Sequence, residues 1–332
     1  MRNAVSVVIV TYNAQDHIAA LLESLQKQTL QPSEIIVVDS ASSDRTVDII
    51  NTNFPRVRLE RSEHNLDFAK GYNRGINLSS APIVMVVNQD VVLEPSAIEK
   101  LAAALQVSEQ IGAVGPKLLR VAASGMKNID TVGIRATRAR QFLNIGEGEK
   151  DDGRYNAQRQ VFGLSGAAIL LKREALLSIA ETGNGHQEYF DEDFIAFKED
   201  VDLSYRLNHA GWTLYAVPNA VGHYNRSTSL DPDSPITAQR QQRTARAKSY
   251  SWRNHRWTII KNEPLVNILL DGWLIIPYEC GKMLFLLVRE PKTLKTLPSY
   301  LKGLPTMLKK RKTVLTSSKI SAKQLRQLLF HS

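Results

Sequence analysis

Two acid-bearing stretches, residues 35–44 (IIVVDSASSD) and 83–95 (IVMVVNQDVVLEP), each follow an apolar run of β type, which puts Asp39 and Asp90 at strand ends. Open α/β sheets bind their ligands there. A third stretch, residues 190–207 (FDEDFIAFKEDVDLSYRL), supplies Asp200 and further carboxylates. Three such groups can divide the work of holding a cation, a diphosphate and an attacking hydroxyl.

Each residue has a chemical and a structural reading. Asp90 can set a hard carboxylate against Mg²⁺ or Mn²⁺ bridging two phosphates, or it can simply start a turn. Asp39 can accept hydrogen bonds from a ribose hydroxyl or a base imide, or cap the turn in DSASSD; Asp44 reads as an N-cap. The segment with Gly71 and Gly75 reads as a loop in which Lys70, Asn73 and Arg74 bring backbone N–H groups and positive charge to phosphates, without a Walker pattern. Asp200 and Asp202 point in different directions on a helix, whereas Glu199, Asp202 and Arg206 share a face. Asp200 is therefore the candidate general base for a hydroxyl, against the alternative of an acid-rich helix start favoured by the dipole. His223 is a candidate third cation ligand or diphosphate contact, with a structural hydrogen-bonding role as its alternative. Arg226 and residues 227–229 can touch phosphate or form a loop.

The elements that position these groups follow from periodicity. Val5 to Val10 is a continuous β-branched run; Thr11, Tyr12 and Asn13 follow as a turn, and IAALLESLQKQ has helical spacing. EIIVVD repeats the theme, with Ser43 or Asp44 capping a helix that carries Val47, Ile49 and Ile50. APIVMVVNQD is a third strand and PSAIEKLAAALQ a helix. Continuous apolar strands alternating with helices predict an α/β fold with a doubly wound, mostly parallel sheet covered on both faces. Residues 111–162, with IGAVGPKLL as a strand, read as a looser region, acceptor-side or mobile. FGLSGAAILLKREAL is a turn and strand entering a helix, and another helix begins near Glu199.

The charge is uneven. Residues 1–233 hold 29 acids and 23 bases, residues 234–332 only 4 acids against 19 bases. A boundary near 230–240 therefore divides a catalytic domain (1–235) from a basic, amphipathic helical appendage (236–332). Residues 240–261 interleave seven bases with Tyr250, Trp252 and Trp257, and residues 264–289 are apolar but interrupted by Asp271, Glu279 and Lys282, which is too broken to span a bilayer. Bases beside apolar groups suit an anionic membrane surface; the alternative is an appendage packed on the catalytic domain. Nucleic acid is excluded as a partner, because no recognition module accompanies the charge. The single Cys280 excludes an internal disulfide framework, and the start of the chain reads as a buried strand and no signal peptide. The expected location is cytoplasmic and peripheral, on the inner face of the cell membrane.

Taken together, VSVVIVTYN, EIIVVDSASSD, NLDFAKGYNRG, VVNQDVVLEP, GLSGAAILLKREAL, FDEDFIAFKEDVDLSYRLNHAGW and His223 resemble glycosyltransferase family 2 over residues 5–230, and within it the bacterial rhamnosyltransferase-like enzymes of cell-surface polysaccharide assembly. The resemblance implies a GT-A fold, an inverting displacement, a nucleoside-diphosphate sugar donor of dTDP or UDP type, a saccharide acceptor on a polyprenyl diphosphate, and Mg²⁺ or Mn²⁺. It also implies that Thr11, Asn13, Asp39, Asn65, Lys70, Asn73 and Asn88 line the donor site, that Asp90 and His223 serve the metal, and that Asp200 is the base. Asn88 stands where many relatives have a first aspartate, and Lys70 where they have a small residue. A non-catalytic nucleotide-sugar-binding scaffold and a nucleotidyltransferase are the competing readings.

Overall fold

The computed structural model describes residues 4–121, 127–183, 185–224 and 244–330. Arg226, residues 227–229 and the boundary near 230–240 lie outside the described residues.

The chain alternates as its periodicity dictates: β1 (Val5–Thr11), α1 (Ile18–Gln26), β2 (Glu34–Ser40), α2 (Thr46–Asn53), β3 (Arg58–Ser62), α3 (Asp67–Leu78), β4 (Ile83–Val87), β5 (Val91–Leu93) and α4 (Ala97–Leu105). There follow β6 (Ile111–Val121), β7 (Lys127–Thr131), β8 (Ile134–Ala136), β9 (Phe142–Asn144), β10 (Arg159–Val161), β11 (Ala168–Lys172), α5 (Arg173–Ser178), β12 (Glu181–Gly183), β13 (His186–Glu188), α6 (Glu199–His209) and β14 (Thr213–Tyr224). One large sheet runs β10-β14-β6-β11-β4-β1-β2-β3, with β5 added to β14 and β7 to β6. Strands β3, β2, β1 and β4 are parallel, as are β6 and β14, while β11 enters antiparallel between β4 and β6.

Alternate residues of each central strand feed two cores. Val7, Ile9 and Met85 pack with Leu21, Leu22, Leu25 and Leu101 on one face, and Val8, Val84 and Val86 with Tyr72, Ile76 and Leu203 on the other. Every one of these side chains is essentially inaccessible, so each contributes about 2 kcal/mol of burial.

The segment with Gly71 and Gly75 is a helix, not a phosphate loop. Its glycines bring α3 close against β1: a Cβ at Gly75 would meet Val8 Cγ1 at 2.3 Å, and one at Gly71 would meet Val10 at 2.8 Å. The absent side chains serve helix–sheet packing. The turn expected at Ser43 or Asp44 is capped differently as well. The α2 N-cap residue is Arg45, which makes no side-chain cap, while Asp44 Oδ1 accepts the Thr46 N–H at 3.0 Å.

The C-terminal region is helical: α7 (Ala245–Asn262), α8 (Leu265–Arg289), α9 (Leu297–Thr316) and α10 (Ala322–Phe330). Many of its bases turn inward rather than toward a surface. Lys261, fully buried, donates to Asp191 at 2.6 Å and Asp202 at 3.0 Å, and Lys310 reaches Asp191 and Asp193. Burial alone would raise the Asp191 carboxyl, but the Lys261 and Lys310 ammoniums outweigh it and hold it below the usual carboxylate range. The polar interruptions of α8 are likewise internal: Asp271 binds Arg138, Arg140 and Arg326, and Glu279 binds Arg256. Among the described residues no helix is long and apolar enough to cross a membrane.

Candidate active site

The parallel register sets Thr11 opposite Asp39 at the carboxyl ends of β1 and β2. Thr11 Oγ1 donates to Asp39 Oδ1 at 3.1 Å, and the Ser42 N–H donates to Asp39 Oδ2 at 3.1 Å. Both side chains are buried, so Asp39 shapes its loop from beneath rather than facing solvent. Above it two loops are stitched together. Asn13 N–H donates to Ser42 Oγ, Ser43 N–H to Asn13 Oδ1, and Gln15 N–H to Asp44 Oδ2, all within 2.9–3.0 Å. Asn13 takes a φ of 49°, which an asparagine tolerates better than most residues. Gln89, which sequence reasoning passed over, ties this loop to the next strand by accepting the Tyr12 N–H at 2.9 Å.

Asn65 and Lys70 are exposed at the start of α3, where Asn65 Oδ1 accepts the Asp67 N–H at 2.7 Å. Asn73 differs from its expected role. It is fully buried; its Oδ1 accepts the N–H groups of Tyr189 and Phe190, and its Nδ2 donates to Phe190 O and Glu192. An amide saturated in this way anchors the acidic stretch to α3 and has no hydrogen bond left for a ligand.

Asn88 and Asp90 sit after β4. Asn88 Oδ1 accepts from the Tyr72 hydroxyl at 3.1 Å, and its Nδ2 donates to the Tyr224 hydroxyl at 3.1 Å. Its amide therefore bridges two tyrosines where a second carboxylate would otherwise stand. Burial first, and the Asp90 charge next, push the Tyr72 phenol well above its ordinary value, which places Asp90 beside this cluster. One carboxylate fits a hard divalent cation, since Mg²⁺ takes only one or two from protein and fills the remainder with water and substrate phosphate. His223 pairs with Val92, two residues beyond Asp90, and its Nε2 lies 3.4 Å from Glu94 Oε1. A separate trio, His186, Glu188 and Glu192, brings its ligand atoms within 4.8 Å of one another.

Asp200 opens the first turn of α6 and lines a cavity of about 560 Å³ together with Asn88, Phe68, Phe142, Glu199 and Tyr224. Its Oδ2 accepts the Gly166 N–H at 3.2 Å and its Oδ1 the Val201 N–H at 2.8 Å. Gly166 sits tightly here: a Cβ would lie 3.1 Å from Phe68 Cζ and 3.3 Å from Asp200 Cβ, so a side chain would need its neighbours to give by a few tenths of an ångström. Glu199 beside it is buried, with Oε2 lacking a hydrogen-bond partner. Burial and then the Asp200 charge push its carboxyl up to about 8, so Glu199 keeps its proton at neutral pH.

The backbone that delivers these two acids is strained. Ile195, Phe197 and Lys198 all have φ between 66° and 71°. Such conformations cost on the order of 1–3 kcal/mol each and persist where their surroundings fix them. Here the fixing comes from two sides: the N–H groups of Phe68 and Ala69 donate to Ile195 O, and Asn254 of α7 lies within 2.8 Å of the carbonyls of Phe194, Ala196 and Phe197. Thr244, Ala247 and Ser251 of the C-terminal region also wall the Asp200 cavity. No signal in the sequence marked Asn254.

A sheet covered on both faces, with acids at its strand ends and a carboxylate in a deep cavity beside them, defines a glycosyltransferase of GT-A fold. The chain belongs to glycosyl transferase family 2, whose model matches residues 6–178. It is 29% identical over 298 residues, 78% of this chain and 90% of the relative, to the N-acetylglucosaminyl-diphospho-decaprenol L-rhamnosyltransferase of Mycobacterium tuberculosis. Among solved structures it is similar to S. aureus TarS 1-349 in complex with UDP-GlcNAc (TM-score 0.53, 17% identity, 98% of this chain and 92% of that one). It is also similar to the mannosyltransferase PcManGT from Pyrobaculum calidifontis in complex with GDP-Man and Mn²⁺ (TM-score 0.52, 16% identity, 99% and 87%). At these identities the two structures establish the fold.

Proposed function

We propose that this glycosyltransferase moves a sugar, rhamnose before others, from a nucleoside-diphosphate donor of dTDP or UDP type to a saccharide carried on a polyprenyl diphosphate, with inversion, during assembly of a cell-surface polysaccharide. The observation that carries the reading is the placement of Asp200 in a cavity of about 560 Å³ that also reaches Asn88 and Tyr224 beside Asp90. The name of the mycobacterial relative supports the choice of sugar and acceptor.

In this reaction the acceptor hydroxyl attacks the anomeric carbon from the side opposite the diphosphate. The new C–O bond forms as the bond from that carbon to the diphosphate oxygen breaks, the nucleoside diphosphate departs with the electron pair, and Asp200 takes the hydroxyl proton. The Gly166 and Val201 N–H groups hold the carboxylate in place. Glu199, protonated, avoids a second charge in the same buried ground. A divalent cation, Mg²⁺ or Mn²⁺, supplies electrostatic stabilisation to the departing diphosphate when bound, and Asp90, with His223 as second candidate, is the residue to hold it. Thr11, Asn13, Asp39 and Asn65 shape the donor pocket, and Lys70 offers its charge to the phosphates.

The chain works at the inner face of the membrane. On α8, Leu265, Leu269, Trp273, Ile276, Leu284 and Val288 recur at helical spacing and are each 61–71% exposed. In the segments that follow, Lys292, Lys295, Lys302 and Lys309 are exposed, and such bases together with exposed apolar residues suit anionic headgroups and the acyl boundary.

The test is a panel of nucleotide sugars screened with Mg²⁺ for thermal stabilisation, followed by transfer assays on Asp200→Asn. The variant keeps donor binding and loses transfer. Turnover equal to that of the unaltered chain would remove Asp200 as base, and pyrophosphate as product would favour the nucleotidyltransferase reading instead.

A further inference from the structure

The hairpin β12–β13 carries a second set of donors of the kind that hold metals. His186 and Glu188 stand two apart on β13, so both side chains leave the same face of the strand. Glu192 follows at the start of a short 3₁₀ turn, Glu192–Phe194, and completes a trio whose ligand atoms all lie within 4.8 Å of one another. None of the three takes part in the transfer proposed above.

The spacing suits a metal. Bonds of about 2.1 Å set neighbouring donor atoms about 3.0 to 3.4 Å apart around an octahedral or tetrahedral ion. His186 Nε2 is already 3.0 Å from Glu192 Oε1, so a side-chain rotation of Glu188 closes the set. Among the described residues no hydrogen bond or ion pair holds the Glu188 carboxylate, and none reaches Glu192 Oε2, so both carboxylates have lone pairs to share with a cation. Burial first, and the Glu192 charge next, raise the Glu188 carboxyl, a crowding of like charges that a divalent ion relieves. Lys310 pulls the other way, but its ammonium is bound to Asp191 and Asp193. Asn73, on buried α3, donates to Glu192 Oε1 at 3.1 Å, the kind of outer partner that fixes a ligating carboxylate.

Donor chemistry then selects the ion. One imidazole with two carboxylates, and water in the remaining position, favours Zn²⁺, whereas Mg²⁺ prefers oxygen ligands throughout. β12 and β13 form a two-stranded sheet of their own, and such a hairpin is marginal by itself. We propose that His186, Glu188 and Glu192 form a Zn²⁺ site that pins the β12–β13 hairpin to the acidic stretch leading to Asp200, and that this site shares no residue with the one assigned to Asp90 and His223.

The experiment strips the full chain with EDTA, removes the chelator and measures Zn²⁺ binding by equilibrium dialysis. Each variant is read as its difference from the unaltered chain, so Zn²⁺ taken up at Asp90 cancels. His186→Gln and Glu188→Gln each weaken one Zn²⁺ equivalent about tenfold or more, whereas His64→Gln, at an exposed histidine outside the trio, leaves binding unchanged. Should His186→Gln fail to fold, Glu188→Gln decides, because its partly buried side chain has no hydrogen bond to lose. Zn²⁺ also raises the melting temperature of the unaltered chain by about 2 °C or more, and by less in both variants. Zn²⁺ binding in Glu188→Gln equal to that of the unaltered chain overturns the site. Displacement of the Zn²⁺ by an equal concentration of Mg²⁺ overturns the choice of ion. Dialysis needs no turnover, so the result stands apart from whatever Asp200→Asn shows about the transfer.

Discussion

The side-chain nitrogen of Asn254 lies 2.8 Å from the carbonyl oxygen of Phe197, and it reaches the carbonyls of Phe194 and Ala196 within the same distance. A helix of the basic C-terminal region thereby braces the left-handed backbone that hands Glu199 and Asp200 to the cavity. Asn254→Ala is expected to lower kcat about 10- to 100-fold, the scale of a misplacement near 1 Å, with donor affinity kept within about twofold. Asn267→Ala, which deletes a part-buried hydrogen bond to the Ala322 carbonyl elsewhere in the C-terminal region, serves as control. Steady-state kinetics with donor-binding calorimetry checks this; equal kcat losses in both variants would reduce Asn254 to a stability residue.

Glu199 gives the fold a pH dependence of defined sign. Its carboxyl is raised from an ordinary 4.5 to about 8, so the folded state holds a proton the unfolded chain releases. The associated stability is fully present below pH 4.5 and is lost as pH rises through about 8. Glu199→Gln, neutral at every pH, flattens that slope and keeps kcat within about threefold. Melting temperatures from pH 5 to 9 for both proteins decide the matter, and parallel curves would count against a protonated Glu199.

Asp90→Ala separates donor binding from metal. Donor affinity measured with Mg²⁺ falls about tenfold or more, while affinity in EDTA is unchanged. A loss of equal size in both conditions would make Asp90 a structural turn residue.

Polar substitution of the α8 stripe addresses the membrane. Leu269→Ser combined with Trp273→Ser, both side chains being largely exposed, leaves folding intact and abolishes flotation with vesicles containing anionic lipid. Flotation that survives the double change, or that ignores lipid charge in the unaltered chain, is the contrary result.

Periodicity and strand-end acids were enough to draw β1, β2, β4, the helices α1 and α2 and the α6 start, because continuous apolar runs and helical spacing are local properties of the chain. Composition likewise exposed the uneven charge. Three things escaped it. Gly71 and Gly75 read as a loop although they pack α3 against Val8 and Val10, since a close helix–sheet approach and a turn both select glycine. Asn73 read as a ligand contact, yet its amide is consumed by residues more than a hundred positions away. Lys261 counted as surface charge, while the fold pairs it with Asp191 and Asp202 in the interior.

What the amino-acid order determined by itself was the class of fold, the position of Asp39 and Asp90 at or just past strand ends, and the sign of each region's charge. Tertiary structure alone decided which acid keeps its proton, which base reaches which carboxylate, and that Asn254 holds the loop bearing Asp200. Desolvation and pairing between residues remote in sequence depend on distances in space, and spacing along the chain carries no record of them.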